Sequence, residues 1–160
     1  MAINFVQETG TASSLSTSYA SIAQYKQYWL DRNVSISDPD DAIKAYLNIA
    51  TDFIDSTYKF MGEIVNVAQA LSFPRVGVIT RNGVVVDSDS IPTGIIAATC
   101  YLAYEAKNNN LMRASEGIKS ISYGPVSKTF NRDSDSIYFP MADKYLRPFI
   151  VSGCQMLRVN

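Results

Sequence analysis

The chain has 160 residues, 47% of them hydrophobic and 18% charged, with ten tyrosines, two cysteines and no histidine. That length suits a single core burying about 70% of the unfolded surface, and a net charge of −1 excludes a strongly basic protein that coats nucleic acid. With no histidine, no Ser-His or Cys-His nucleophile can be assembled, and no run approaches the roughly 18 apolar residues of a membrane span.

The opening stretch, AINFVQETGTASSLSTS, begins apolar and dissolves into Gly, Ser and Thr, so residues 1–17 are expected to form an extended N-terminal arm. Ser18 is the expected N-cap of a first helix over about Tyr19 to Arg32, whose Ile22, Tyr25, Tyr28 and Trp29 recur at helical spacing. A second helix starts at Asp38-Pro39-Asp40-Asp41, with Asp38 as cap, Pro39 in the first position and two acids at the positive end of the dipole. Its stripe, Ile43, Tyr46, Leu47, Ala50, Phe53, Ile54 and Tyr58, carries it to about Tyr58.

A β-hairpin follows within residues 73–90, with arms Arg75–Ile79 and Val84–Asp87 around Thr80-Arg81-Asn82-Gly83. Asn-Gly is the preferred pair where the turn takes positive φ twice. Pro92 opens a third helix, capped by Asp89 or Ser90, with almost no polar face from Ile95 to Ala106, which places it at the centre of a bundle. Ile118 to Val126 reads as a strand broken by Gly124-Pro125, Lys128 to Ser136 as a polar loop, and Pro140 to Leu146 as a last helix stopped before Pro148. The closing residues 147–160 hold Phe149, Ile150, Val151, Met156, Leu157 and Val159. So apolar a segment is covered by its own domain or docks on a neighbouring subunit or partner.

Few residues invite chemistry. Asp87-Ser88-Asp89-Ser90 and Asp133-Ser134-Asp135-Ser136 lack the Gly and distal Glu of a calcium loop and read as helix caps. Cys100 and Cys154 stand 54 residues apart in apolar settings and read as free, buried thiols, as in a protein made in a reducing cytoplasm. No metal, cofactor or catalytic site is expected, and the chain is read as not an enzyme. Charge is uneven: residues 1–99 carry six Lys/Arg against ten Asp/Glu, and residues 100–160 eight against five. A low-charge, Tyr-rich surface suits burial against partners, although core-edge placement accounts for tyrosines equally well.

Taken in order, ATDFIDSTYKFMGE, QALSFPR, GVITRNG and IPTGIIAATCYLAYEA, behind an N-terminal Ser-Tyr-Ala-Ser, resemble a family of tailed-bacteriophage proteins encoded among head and neck genes. Its members often carry the label DnaT-like ssDNA-binding and are similar in size and layout to head–tail connector (adaptor) proteins. The likeness covers residues 1–110 and, more loosely, the ending PFIVSGCQMLRV. It implies a small helical bundle in a homo-oligomeric ring, usually of twelve copies, beneath the portal protein. The ring joins a downstream neck or tail protein, genomic DNA passes through its channel, and the chain resides in the virion.

The resulting expectation is one mainly α domain over residues 1–160, a bundle of three to four helices with a β-hairpin and extended terminal segments, acting as a structural connector. Phe149, Ile150, Val151, Met156, Leu157 and Arg158 are the candidate portal or subunit interface, Arg81, Asn82 and Gly83 the hairpin contact, and Lys119, Lys128 and Arg132 possible DNA contacts. The alternative is a single-stranded-DNA-binding protein. It would set Lys107, Arg113, Lys119, Lys128 and Arg132 against phosphates and stack bases on Tyr101, Tyr104, Tyr123 or Phe130.

Overall fold

In the computed structural model, residues 2–108, 111 and 139–151 are described, together with the backbone of 120–123 and 126–129. Among the described residues four helices carry the fold: α1 (Ile22–Leu30), α2 (Asp40–Thr57), α3 (Thr93–Asn108) and α4 (Pro140–Leu146). Helix α3 packs against all three others, because Ile95, Ala98, Thr99, Cys100, Leu102 and Ala103 leave it little face to give to water. The stripe expected on α2 is the buried one, with Ile43, Leu47, Ala50, Phe53 and Ile54 in the core. The fold is therefore mainly α with a small β component, as the periodicity implies.

Helix starts differ in detail. Helix α1 begins three residues later than expected: Ser21, not Ser18, caps it, through a reciprocal box with Gln24 that satisfies two amides at once. The Ser18 hydroxyl bonds Ala20 instead, and Tyr19 lies wholly buried ahead of the helix. In α2 the cap position falls to Pro39, with no side-chain cap bond; the carboxylate of Asp38 pairs with Lys107 of α3 at 2.9 Å. Ahead of α3 the Ser90 hydroxyl donates to the Asp87 carbonyl.

The N-terminal arm is extended only at its beginning. From Glu8 to Ser18 it closes into a loop, the Glu8 amide donating to the Ser18 carbonyl at 2.8 Å. Inside it the Glu8 carboxylate, 1% exposed, accepts from the amides of Gly10, Thr11, Ala12 and Ser13 and the hydroxyls of Thr11 and Ser16. The Ser/Thr/Gly run that suggests a loose arm is the donor set for one anion.

The hairpin is shorter than its expected arms. Val86 donates to the Val78 carbonyl and Thr80 to that of Val84, with Ile79 opposite Val85. Arg75–Val76 (β2) turns aside to pair antiparallel with Glu63–Ile64 (β1). The tip also departs from the expected double positive φ: Gly83 alone has it, at +79°, and its amide donates to the Thr80 carbonyl at 2.8 Å. Arg81 and Asn82 thus sit in an ordinary turn and Gly83 supplies the left-handed residue that rejoins the strands.

A second hairpin pairs Ser120–Tyr123 (β3) with Val126–Thr129 (β4), Tyr123 opposite Val126 and Ile121 opposite Lys128. Lys128 and Thr129 therefore belong to a strand, not to the polar loop expected from Lys128 onward. Helix α4 has the expected bounds, Pro140–Leu146. Beyond it Phe149 is buried, its ring 6.3 Å from that of Phe73, while its carbonyl accepts from Met61 and the Val151 amide donates to Lys59. The first part of the closing segment packs on its own domain.

Candidate functional site

Between α2 and α3 the chain makes a projection, residues 61–87, rooted in a buried polar latch. Asp55, at the end of α2, accepts from the Tyr19 hydroxyl at 2.6 Å and the Ser72 amide at 3.0 Å, and the Tyr19 oxygen accepts from the Phe73 amide at 3.1 Å. Burial pushes the Asp55 carboxyl above its ordinary range against the pull of those hydrogen bonds. Next comes Arg75, whose guanidinium donates to the carbonyls of Met61, Gly62 and Ser72. Gln69 accepts from the Val65 and Asn66 amides and donates to the Leu71 and Pro74 carbonyls.

Polar side chains thus hold much of the backbone of this segment, and its apolar side chains divide between the core, which takes Leu71, Phe73 and Val78, and the surface. Val78 is fully buried and Val86 packs on the core. Their neighbours Ile79 and Val85, directly opposite each other, point to the other face of the ribbon and are 53% and 67% exposed. Ile64, Val65, Val67, Val76 and Val84 are also bare. Arg81, Asn82 and Gly83 form the exposed tip, at the place expected for the hairpin contact.

A second feature lies across the bundle. An open groove of about 300 Å³ runs between α1 and α3, lined by Gln24, Gln27, Tyr28, Asp31, Thr93, Ile96, Ala97 and Cys100. Burial pushes the Cys100 thiol up to about 12, so it presents an apolar SH and not a thiolate. Nothing in the sequence marks this groove, because it exists only once two helices distant in the chain are placed together.

The residues proposed for strand binding are only partly gathered. Tyr101 and Tyr104 share one helical face, but both rings are turned onto Trp29, 6.4 and 4.3 Å away, and the Trp29 indole donates to the Cys100 carbonyl. Lys107 is engaged by Asp38, which leaves little charge for a phosphate. Lys26 and Lys44 bond Asp40 and Asp41, and Arg32 lies over the Tyr28 ring, donating to the Tyr28 carbonyl and the Tyr145 hydroxyl. Lys128 and Tyr123 are strand positions in the second hairpin; Arg113, Lys119, Phe130 and Arg132 lie outside the described residues.

Of the closing segment, Phe149 is a core residue, Ile150 is half-buried beside Phe60, and Val151 is exposed. Met156, Leu157, Arg158 and Cys154 lie outside the described residues. Among the described residues no group of three or more His, Cys, Asp or Glu is placed to hold a metal, and no helix is long and apolar enough to cross a membrane.

Residues 3–160 match the family described as "Putative DnaT-like ssDNA binding protein". The chain belongs to that family. No curated protein and no solved structure gives a match.

Proposed function

We propose that the chain is a structural assembly protein without catalysis: a head–tail connector of a tailed phage that joins a homo-oligomeric ring beneath the portal and works by docking on protein. The observation that carries this reading is the projection 61–87. Its backbone is held by Asp55, Arg75 and Gln69, so its form does not depend on a covering partner. Yet it leaves seven aliphatic side chains bare. Exposed aliphatic side chains in that number on one connecting segment support a reading as a contact surface. The ordered likeness of its motifs to phage neck proteins supports the same reading.

Single-strand binding is the second reading, and the family match favours it over the connector role. Its geometric support is the Tyr101/Tyr104 face with Lys107 at its end. Against it, Asp38 engages Lys107 and Trp29 covers the rings. Composition and localisation of the chain within purified virions test the first reading. We expect stoichiometric copies at the head–tail junction, and virions devoid of the chain would overturn it.

A further inference from the structure

The tip of the ribbon carries a chemistry that its packing does not use. Asn82 is the one asparagine of the sequence followed directly by glycine, and both residues of that pair stand exposed at the turn. A Cβ built on Gly83 would meet nothing within 4 Å. Neither the glycine nor the rest of the molecule therefore crowds the main-chain nitrogen that follows the Asn82 carboxamide.

Other asparagines are held differently. Asn48 lies in α2 and donates to the Asn4 carbonyl, the Asn66 side chain accepts from the Ala68 amide, and Asn108 donates back to the Tyr104 carbonyl of α3. Each of these three precedes a residue larger than glycine. At the tip the Gly83 amide donates to the Thr80 carbonyl at 2.8 Å, and this one bond ties down the nitrogen. The bonds on either side, Val84 amide to Thr80 hydroxyl at 3.1 Å and Thr80 amide to Val84 carbonyl at 2.8 Å, can stay closed while it opens. An exposed peptide hydrogen bond has a small net worth, so tying the nitrogen slows its reaction only about tenfold.

We propose that Asn82-Gly83 is a site of spontaneous covalent modification, deamidation through a cyclic imide. The Gly83 nitrogen loses its proton to solvent base and attacks Asn82 Cγ; the new C–N bond closes a five-membered ring, and the side-chain nitrogen leaves as ammonia. Water then opens the ring at either carbonyl. Opening at the former side-chain carbonyl gives an aspartyl residue, and opening at the main-chain carbonyl gives an isoaspartyl residue, whose main chain is one methylene longer. Both products replace a neutral carboxamide by a carboxylate, taking the net charge of −1 one unit lower. The longer main chain also displaces the turn that the Gly83–Thr80 bond closes. The inference goes beyond the assembly reading and holds whether the chain docks on protein or on a strand.

The test incubates the full chain, folded and in concentrated urea, in warm, mildly alkaline buffer. Ion exchange follows the acidic product, peptide mapping by mass spectrometry locates it, and an isoaspartyl methyltransferase labels the longer-chain form. In the folded chain Asn82 should convert before any other asparagine, with the isoaspartyl form present, at a rate within about tenfold of that in urea. Gly83→Ala should slow the conversion severalfold by crowding the nitrogen, and Asn82→Gln, whose longer side chain closes a ring poorly, should all but stop it. Earlier conversion at another asparagine would overturn the proposal. So would an aspartyl product without the isoaspartyl form, which is the mark of direct hydrolysis, or a folded chain that stays intact while the chain in urea converts.

Discussion

Two carboxylates, Glu8 buried and Asp55 half-buried, hold segments outside the helices, and their environments give them opposite responses to acid. For Glu8, desolvation pushes the carboxyl up, but the Ser16 hydroxyl and the amides of Ser13, Gly10 and Thr11 outweigh it and hold the group below its ordinary 4.5. Its contribution is therefore complete above about pH 4.5 and fades as pH falls through the lower folded value. Asp55 is held above its ordinary 3.8 by burial, so the fold is penalised once that group ionises and recovers as pH drops back through the raised value towards 3.8. Glu8→Gln should cost about 2 kcal/mol at pH 7, the scale of hydrogen bonds to a charged group, and the gap from wild type should narrow by pH 3.5. Asp55→Asn should also destabilise, by about 1–3 kcal/mol, with a gap that widens over the same range. Urea unfolding of the three proteins at both pH values checks the pair, and gaps moving in the same direction would contradict it. Neither role is legible in the sequence. Glu8 is one acid before a Ser/Thr run, and Asp55 is one of several acids on α2; only the closed loop and the approach of Ser72 give them partners.

Elements were legible where local chemistry decides and obscure where the third dimension does. Helix α4 lies between Pro140 and Pro148, one suited to a helix start and the other unable to continue it, and its bounds follow. Ser18 and Ser21 are equal as caps in composition, and only the Gln24 side chain, reaching back from three residues beyond Ser21, separates them. Strands β1 and β2 have two residues each, too few for any period to show. At the ribbon tip Gly83 has nothing within 4 Å of a built Cβ, so Gly83→Ala should cost only the left-handed backbone penalty of about 1 kcal/mol. Gly94 differs: its added Cβ would lie 2.8 Å from both the Tyr145 carbonyl and the Phe149 ring. Gly94 is the second residue of α3, where little of the interior gain in helix propensity is realised, and overpacking against main chain costs about 1–3 kcal/mol, so Gly94→Ala should destabilise by about 1–3 kcal/mol. Thermal unfolding should rank the two with Gly94→Ala the worse. The reverse order would mean that α3 and the closing segment are less closely packed than this.

For the whole molecule, the closing segment contributes to the core through Phe149. A cut before Phe149 removes a core ring and its main-chain bonds to Met61 and Lys59, at a cost like the roughly 3–5 kcal/mol of Phe→Ala. Deleting residues 152–160 should leave the cooperative thermal transition in place, and loss of that transition would show that these nine residues complete the core. Under the proposed reading the chain docks on protein and does not hold single strands. Its net charge is −1, and Lys26, Lys44 and Lys107 each face a carboxylate. A strand binder instead presents cations along a groove with open aromatic faces, and its affinity falls steeply with salt. The most direct measurement is fluorescence anisotropy of a labelled single-stranded oligonucleotide titrated with the full chain near physiological salt. The account predicts no binding tighter than about 10 μM, the weak end of non-specific affinity; submicromolar binding that weakens steeply as salt rises would contradict it.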